Sequence, residues 1–186
     1  MIFDSLKAEK MLIEHFSKTT NDTEINDLFL ENYKDITDSK RTYKKMQQIF
    51  QKIGTAWEII LSCCEGFQKI SKIDFVNKER KIYIELKNRH NTDNASSKKT
   101  NLHKLFEFKQ KNPEYTCIYG IINAKNKSYS KKYIDVYNNE IIELHQNSLF
   151  DVIFGIYTKD ILNFINKFTE KYDIFNYNYK EKSINI

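Results

Sequence analysis

The chain has 186 residues, 40% of them hydrophobic, and its 30 basic and 25 acidic residues give a formal net charge of +5. This length suits one domain with a real core, and 25 Phe and Tyr residues argue against disorder. No apolar run approaches the roughly 18 residues of a membrane span, and the charged segment Met1–Lys7 does not resemble a signal peptide. Cys63, Cys64 and Cys117 form no CxxC pair, which predicts a reduced, cytoplasmic protein without disulfides or a zinc ribbon.

Helical patterns occupy the first 70 residues. Apolar side chains recur there at the spacing of one helix face. Gly54 is predicted to interrupt the pattern, because glycine weakens a helix interior. The predicted helices cover residues 3–16, 25–29, 38–53 and 55–66.

The pattern changes to strands at residue 71. Segments 73–76 and 81–87 are rich in β-branched and aromatic residues and are joined by a polar turn of hairpin length. A helix over 96–111 follows, with N-cap residues available among 94–97 and a stop at Pro113. The remaining predictions are a strand over 115–122 covered on both faces, weaker strands over 133–137 and 140–144, and helices over 148–154 and 158–172. This order predicts an α/β fold, with a central mixed β-sheet flanked by helices and a helical N-terminal region.

The positive charge is concentrated in the middle of the chain. Residues 87–132 contain eleven basic and three acidic residues, a local charge of +8, whereas residues 1–86 are balanced and residues 133–186 sum to −3. A basic block in a near-neutral protein favours a polyanion-binding face. The alternative is that lysine is simply abundant in this chain.

Two acids and one amine are predicted to meet on the sheet. Every second side chain of the strand 81–87 is aliphatic, so that Tyr83, Glu85 and Lys87 share the opposite face. If both strands of the hairpin turn their apolar sides to one core, Asp74 emerges beside Glu85 and Lys87. Two carboxylates suit Mg²⁺, and a nearby lysine can orient water or stabilise a phosphate anion. The alternative is a surface hairpin with an ion pair of little energetic consequence.

The residues Ile73-Asp74-Phe75 and Ile84-Glu85-Leu86-Lys87 resemble the motif of the PD-(D/E)xK nuclease superfamily, and specifically its type II restriction endonucleases. The predicted elements from residue 54 to residue 124 resemble that family's common core. The resemblance implies Mg²⁺-dependent hydrolysis of double-stranded DNA that leaves 5′-phosphates. It also implies that Asp74, Glu85 and the backbone carbonyl of Leu86 bind the metal and that Lys87 is the catalytic lysine. Ile73 replaces the proline of the family name.

Further residues follow from the same resemblance. Many members add a carboxylate from the helix before the hairpin, and Glu58 occupies a comparable place as a metal ligand, although it could equally be exposed or pair with a lysine. The segment after Lys87 is rich in side chains that contact bases and phosphates, although some of them could be helix caps. The predicted DNA-binding residues are Asn88, Arg89, His90, Asn91, Asn94, Ser96, Ser97, Lys98 and Lys99.

The leading hypothesis is a type II restriction endonuclease acting as a homodimer, because a palindromic DNA site matches a two-fold protein. The chain is treated as a single domain, with a helical region over 1–53, a nuclease core over 54–124 and an extension over 125–186. One alternative is a Holliday-junction resolvase or repair nuclease that reads DNA shape. The other is a non-catalytic DNA-binding protein, which leaves the carboxylates beside the basic block unexplained.

Overall fold

The protein was analysed as a computed structural model, which describes residues 2–17, 49–70, 75–89 and 95–172. The predicted helix over 25–29 and most of the one over 38–53 lie outside these ranges. The helices are α1 (Ser5–Ser17), α2 (residues 49–62), α3 (Ala95–Lys111), α4 (Gln146–Ile153) and α5 (Thr158–Lys171), with a 3-10 turn at Gly155–Tyr157. The strands are β1 (Phe67–Lys69), β2 (Phe75–Asn77), β3 (Ile82–Arg89), β4 (Thr116–Asn123), β5 (Ser130–Ile134) and β6 (Glu140–His145).

The strands form one six-stranded sheet in the order β1-β2-β3-β4-β6-β5. The three neighbouring strands β3, β4 and β6 are parallel, whereas β1, β2 and β5 pair antiparallel with their neighbours. Helix α3 provides the crossover from β3 to β4, as parallel neighbours require. The predicted α/β fold with a mixed sheet flanked by helices is therefore confirmed.

Helices cover both faces of the sheet. On one face, the apolar side of β3 packs with residues of α2, α4 and α5 in a large core cluster. Helix α1 joins this layer, since Leu12 belongs to the same cluster and the ring centres of Phe16 in α1 and Phe168 in α5 are 6.3 Å apart. On the other face, Leu105 of α3 packs against Tyr83, Tyr119 and Ile121. Every β4 residue from Cys117 to Ile122 is buried, as predicted for a strand covered on both faces.

Two predictions about the end of the N-terminal region are wrong. Helix α2 runs from residue 49 to residue 62 without a break at Gly54. A Cβ at Gly54 would lie 3.6 Å from Cβ of Asn88 in β3, which is an ordinary contact, so the packing of α2 on β3 would also accept a larger residue there. The helix also ends four residues early, and strand β1 follows after Gly66, whose φ of +82° suits a turn that only glycine adopts without strain.

The strand predicted over 133–137 is displaced toward the N-terminus, because it runs from Ser130 to Ile134. Its first residues are polar, as is common on an exposed sheet edge, so they lack the apolar pattern from which a strand is predicted. The strand stops at Asp135, whose carboxylate accepts hydrogen bonds from the backbone N–H groups of Tyr137 and Asn139 and closes the turn to β6. Within the described ranges, no helix is both long and apolar enough to cross a membrane.

Candidate active site

The faces of β3 are divided as the alternation predicts. Ile82, Ile84 and Leu86 belong to the core cluster under α2 and α4. Tyr83, by contrast, packs in the cluster under α3, and residues two apart along a strand share a face. Glu85 and Lys87 therefore point to the side of the sheet that α3 covers.

Glu85 and Lys87 form a close ion pair on this face. The Nζ atom of Lys87 donates to Oε1 of Glu85 at 2.7 Å, and only 22% of the lysine side chain and 8% of the glutamate side chain are exposed. A carboxylate this buried loses most of its hydration and needs a charged or hydrogen-bonding partner. The pair thus differs from an exposed cross-strand ion pair, because its charges interact in a partly desolvated environment.

Asp74, the second predicted acid, lies outside the described residues. Strand β2 begins directly after it at Phe75, and Phe75 is paired with Ile84 of β3. In an antiparallel pair, the residue before Phe75 corresponds to the residue after Ile84. If the pairing continued by one residue, Asp74 would therefore be opposite Glu85. The predicted meeting of Asp74 and Glu85 stays a prediction.

Glu58 has a lysine as its observed partner. Its carboxylate forms an ion pair with Lys69 of β1. Lys69 is paired with Phe75, which is paired with Ile84, and directly opposed residues point to the same side of a sheet. The ion pair of Glu58 therefore lies on the α2 side, whereas Glu85 points to the α3 side. The metal-ligand role of Glu58 stays a prediction.

The predicted DNA-binding segment is only partly described. His90, Asn91 and Asn94 lie outside the described residues, and Arg89 is the last residue of β3. Asn88 holds two elements together, since its Nδ2 donates to the carbonyl of Phe50 in α2 at 2.9 Å and its Oδ1 accepts from Asn123 at 2.6 Å.

The rest of that segment lies in the first turns of α3. Ser96 and Lys99 are exposed, Ser97 is half-buried, and the Ser96 carbonyl accepts a hydrogen bond from Thr100 within the helix. Lys98 turns toward the sheet and contacts β6. The DNA-binding assignments stay predictions.

Sequence reasoning missed a second charged group on the same face. Glu143 of β6 is only 2% exposed and accepts three hydrogen bonds, from Lys98 at 2.8 Å, Tyr133 at 2.6 Å and His145 at 2.9 Å. The other ring nitrogen of His145 lies 3.1 Å from the carbonyl oxygen of Asn126. A weak signal was present, because Glu143 lies on the strand predicted over 140–144 and His145 follows directly after it, and the observed β6 includes both residues on one face.

This network fixes the charges of Glu143 and Lys98. Burial raises the pKa of Glu143, but the hydrogen bonds from Lys98, Tyr133 and His145 outweigh it and lower that pKa to about 2. Burial lowers the pKa of Lys98, and its bonds to Glu143 and Tyr133 reverse this and raise it. Glu143 is therefore an anion and Lys98 a cation over the whole neutral range.

Tyr119 of β4 separates the two charged pairs. It is paired in register with Glu85 on one side and with Glu143 on the other, and it is 1% exposed. Because neighbouring strands lie about 4.8 Å apart, the backbones at Glu85 and Glu143 are roughly 10 Å apart. The Nζ atom of Lys98 lies 5.3 Å from the centre of the Tyr119 ring.

Tyr83 flanks the site without joining it. Its ring stacks on that of Phe108 in α3, with the planes 6° apart. Burial, with smaller contributions from Cys117 and Glu85, raises the pKa of Tyr83 to about 12. Tyr83 therefore remains protonated near neutral pH and contributes packing.

The donor set beside Glu85 fits a hard cation. A carboxylate and a backbone carbonyl at the adjacent Leu86 are both oxygen ligands of the kind that Mg²⁺ binds. Within the ranges described, no three His, Cys, Asp or Glu side chains converge as a ready-made metal cluster. A complete site therefore needs a further oxygen donor, and the sequence predicts Asp74 in this role.

A mixed sheet between helical layers, with a Glu-x-Lys pair on the half-buried polar face of an inner strand, has the architecture of the PD-(D/E)xK restriction endonucleases. The family model described as Eco47II restriction endonuclease matches residues 3–148, from the start of the α1 layer into α4. The chain therefore belongs to the Eco47II restriction endonuclease family, which places it among site-specific nucleases that act on DNA. No curated protein and no solved structure matches the chain.

Proposed function

We propose that the protein is a type II restriction endonuclease that uses Mg²⁺ to hydrolyse double-stranded DNA at a specific sequence, leaving 5′-phosphates. The observation that carries the proposal is the ion pair of Glu85 and Lys87, buried on an inner strand within the stretch that matches the family. A structural ion pair gains little by being placed there, since its desolvation offsets most of its attraction. A catalytic pair needs this environment, because charges act more strongly on a substrate where water is excluded.

Asp74, Glu85 and the backbone carbonyl of Leu86 would hold the metal, whereas the ion pair with Lys69 keeps the carboxylate of Glu58 on the other side of the sheet. When bound, Mg²⁺ neutralises negative charge that develops at phosphorus and lowers the pKa of water. The buried strand that carries Glu85 fixes the orientation of this residue. Its carboxylate therefore loses little further conformational freedom when the reaction takes place.

In addition to the charge of the metal, the protein itself would supply a positive charge, that of Lys87. Its ammonium lies at the more exposed end of the pair, from where it can donate to a phosphate oxygen or to the attacking water. The water oxygen forms a bond to phosphorus, and the bond from phosphorus to the 3′-oxygen breaks. The water gives up a proton to solvent or to a neighbouring phosphate oxygen, and the leaving 3′-oxygen takes up a proton from solvent, so that the products are a 5′-phosphate and a 3′-hydroxyl.

The segment after β3 is proposed to contact the DNA. It follows directly from the catalytic strand and leads into the exposed first turn of α3, where Ser96 and Lys99 face solvent. Backbone N–H groups at a helix N-terminus add favourable phosphate contacts. The proposed residues are Asn88, Arg89, His90, Asn91, Asn94, Ser96, Ser97, Lys98 and Lys99.

We expect a homodimer, because cutting both strands of a palindromic site needs two active sites related by a two-fold axis. Sedimentation of the full chain, alone and with duplex DNA, measures this directly. A cytoplasmic location follows from the proposed role and agrees with Cys63, Cys64 and Cys117 being free and buried.

The test is digestion of supercoiled plasmid and phage DNA by the full chain with Mg²⁺. Discrete fragments carrying 5′-phosphates are expected. Glu85→Ala and Lys87→Ala should each reduce the cleavage rate by at least about a hundredfold while circular dichroism and Tm show a folded protein. The matched control is the ion pair of Glu9 and Lys171, which joins α1 to α5, so that Glu9→Gln and Lys171→Ala should cut like the unsubstituted protein.

Three results would contradict the proposal. Cleavage of branched DNA alone would indicate a junction resolvase, and retardation of DNA without cutting would indicate a non-catalytic DNA-binding protein. Undiminished cleavage by both Glu85→Ala and Lys87→Ala would remove this site from the reaction.

A further inference from the structure

A cavity of about 1260 Å³ opens beside the second charged pair. It lies where β4 and β6 end and where the loop from β4 to β5 folds over the sheet, and the indole of Trp57 in α2 forms part of its wall. Four lysines line it against one carboxylate, that of Glu143. The lining lysines are Lys98, Lys125, Lys127 and Lys131.

The single carboxylate in this cavity is already satisfied. Glu143 accepts hydrogen bonds from Lys98, Tyr133 and His145, and 2% of it is exposed. Its charge is therefore balanced within the network, and an incoming anion meets the lysines first. Lys131 is also paired in register with Glu143, which places a further lysine next to it on the edge strand β5.

Lys98 differs from the other three lysines because the network fixes its position. Its Nζ atom is bonded to Glu143 and lies 5.3 Å from the ring centre of Tyr119 and 5.6 Å from that of Tyr133. Lys125, Lys127 and Lys131 are exposed. A lysine that is already ordered loses less conformational entropy when it binds an anion.

We propose that this cavity is a second phosphate-binding site, which takes a DNA backbone phosphate near the one that is cut. Lys98 is the fixed cation of this site, and Glu143 is a positioning residue that holds Lys98. The inference rests on the proposed function, since it assumes that DNA lies across the same face as Glu85. The two charged pairs are roughly 10 Å apart, which a DNA strand covers in a few nucleotides because each step advances about 3.4 Å along the axis.

Salt dependence of DNA binding tests the role of Lys98. Affinity of the full chain for a labelled duplex is measured by fluorescence anisotropy without Mg²⁺, so that no cutting occurs, at several salt concentrations. Lys98→Met should lower the slope of log affinity against log salt by about 0.9 and weaken binding about eightfold at 0.1 M salt. The matched control, Lys167→Ala, removes an exposed lysine of α5 and should leave both values unchanged.

The sign of the effect of Glu143→Gln tests the positioning role. If Glu143 acted only through its charge, removing that charge would tighten DNA binding. A positioning role predicts weaker binding instead, together with no further loss when Glu143→Gln is added to Lys98→Met, because both changes then remove the same contact. If Glu143→Gln does not fold, Lys125→Ala combined with Lys127→Ala in the exposed loop should still lower the slope by about 1.8.

The outcomes separate this inference from the proposed function. An unchanged slope for Lys98→Met, or tighter binding by Glu143→Gln, would overturn the second phosphate site even if Glu85→Ala abolishes cutting. Cutting that survives Glu85→Ala, with the slope lowered as expected, would contradict the proposed active site alone. A Tm that rises with inorganic phosphate only when Lys98 is present, without any effect of Lys98→Met on DNA affinity, would assign the cavity to a free anion and overturn the DNA assignment.

Discussion

Glu85 and Glu143 lie on the same face of the sheet, each paired in register with one side of Tyr119. Each carboxylate also has its own lysine, Lys87 for the first and Lys98 for the second, at 2.7 Å and 2.8 Å. The first lysine comes from the same strand, whereas the second comes from α3, 45 residues away along the chain. One face of this nuclease therefore carries two separate ion pairs, to which we assign chemistry and phosphate binding.

Divalent cations should stabilise the protein through Glu85. A ligand that binds only the folded state at ten times its Kd raises the free energy of unfolding by about 1.4 kcal/mol. Thermal melts with Mg²⁺ or Ca²⁺ should therefore show a rising Tm for the unsubstituted chain and a constant Tm for Glu85→Gln. Glu9→Gln is the control and should respond like the unsubstituted chain. An equal rise in Tm for Glu85→Gln would show that the cation binds elsewhere.

Acid should weaken the fold through Glu143. Because its folded pKa is about 2 and its ordinary value is 4.5, its contribution is complete above pH 4.5 and is lost as the pH falls toward 2. The size of this contribution is on the order of 3 kcal/mol, at 1.36 kcal/mol for each pKa unit. Urea unfolding at pH 7 and pH 3 should show the gap between the unsubstituted chain and Glu143→Gln shrinking with acid.

The control for this prediction is Glu140, whose ion pair with Lys132 is exposed. Glu140→Gln should change the free energy of unfolding by less than about 1 kcal/mol. A gap between the unsubstituted chain and Glu143→Gln that is equal at both pH values would contradict the assigned network.

Two glycines should respond to alanine with opposite signs. At Gly120 of β4, a Cβ would lie 2.8 Å and 2.9 Å from the methyl groups of the fully buried Leu149, so overpacking should cost about 1–3 kcal/mol. At Gly54 in α2, the nearest atom would be an ordinary 3.6 Å away, and alanine should stabilise the helix by about 0.5–1 kcal/mol. Urea denaturation of both variants measures the difference, and equal signs would refute this account of the packing.

Arg80 should stabilise the end of α4. Its Nη1 donates to the carbonyl of Ile153 at 2.9 Å and its Nη2 donates to that of Val152, which are among the carbonyls that a helix end leaves without partners. Arg80→Ala should lower the free energy of unfolding by about 1–3 kcal/mol. Arg80→Lys should recover only part of it, since an ammonium lacks the planar fork. Lys78→Ala, in the same turn, is the control, and an equal loss there would point to a general effect of charge.

Local patterns were sufficient to predict most of the fold. The alternation of β3 assigned Ile84 and Glu85 to opposite faces, and the continuous apolar run of β4 predicted a strand covered on both sides. Pro113 and the polar residues before Ala95 predicted the limits of α3. The predicted start differs from the observed one by one residue, and the end agrees. These signals work because each is a property of a single element.

The remainder depends on contacts between elements. Gly54 lowers helix propensity, but α2 continues through it because the helix packs against β3, where Asn88 donates a hydrogen bond to the carbonyl of Phe50, and no local pattern reports such a contact. Strand β1 has three residues and is defined mainly by its pairing with β2. The network at Glu143 needs Lys98 from a distant helix. The sequence alone predicted a weak strand that contains Glu143 and ends before His145, and it gave no reason to join these residues to Lys98.

The position of β4 between the two ion pairs has an evolutionary consequence. Substitutions at sites more than about 7–10 Å apart that share no partner usually have additive effects, and the backbones at Glu85 and Glu143 are roughly 10 Å apart across β4. With the roles proposed above, substrate affinity and cutting could therefore change separately during evolution. In that case β4, which is buried on both sides, would let selection act on each property without disturbing the other.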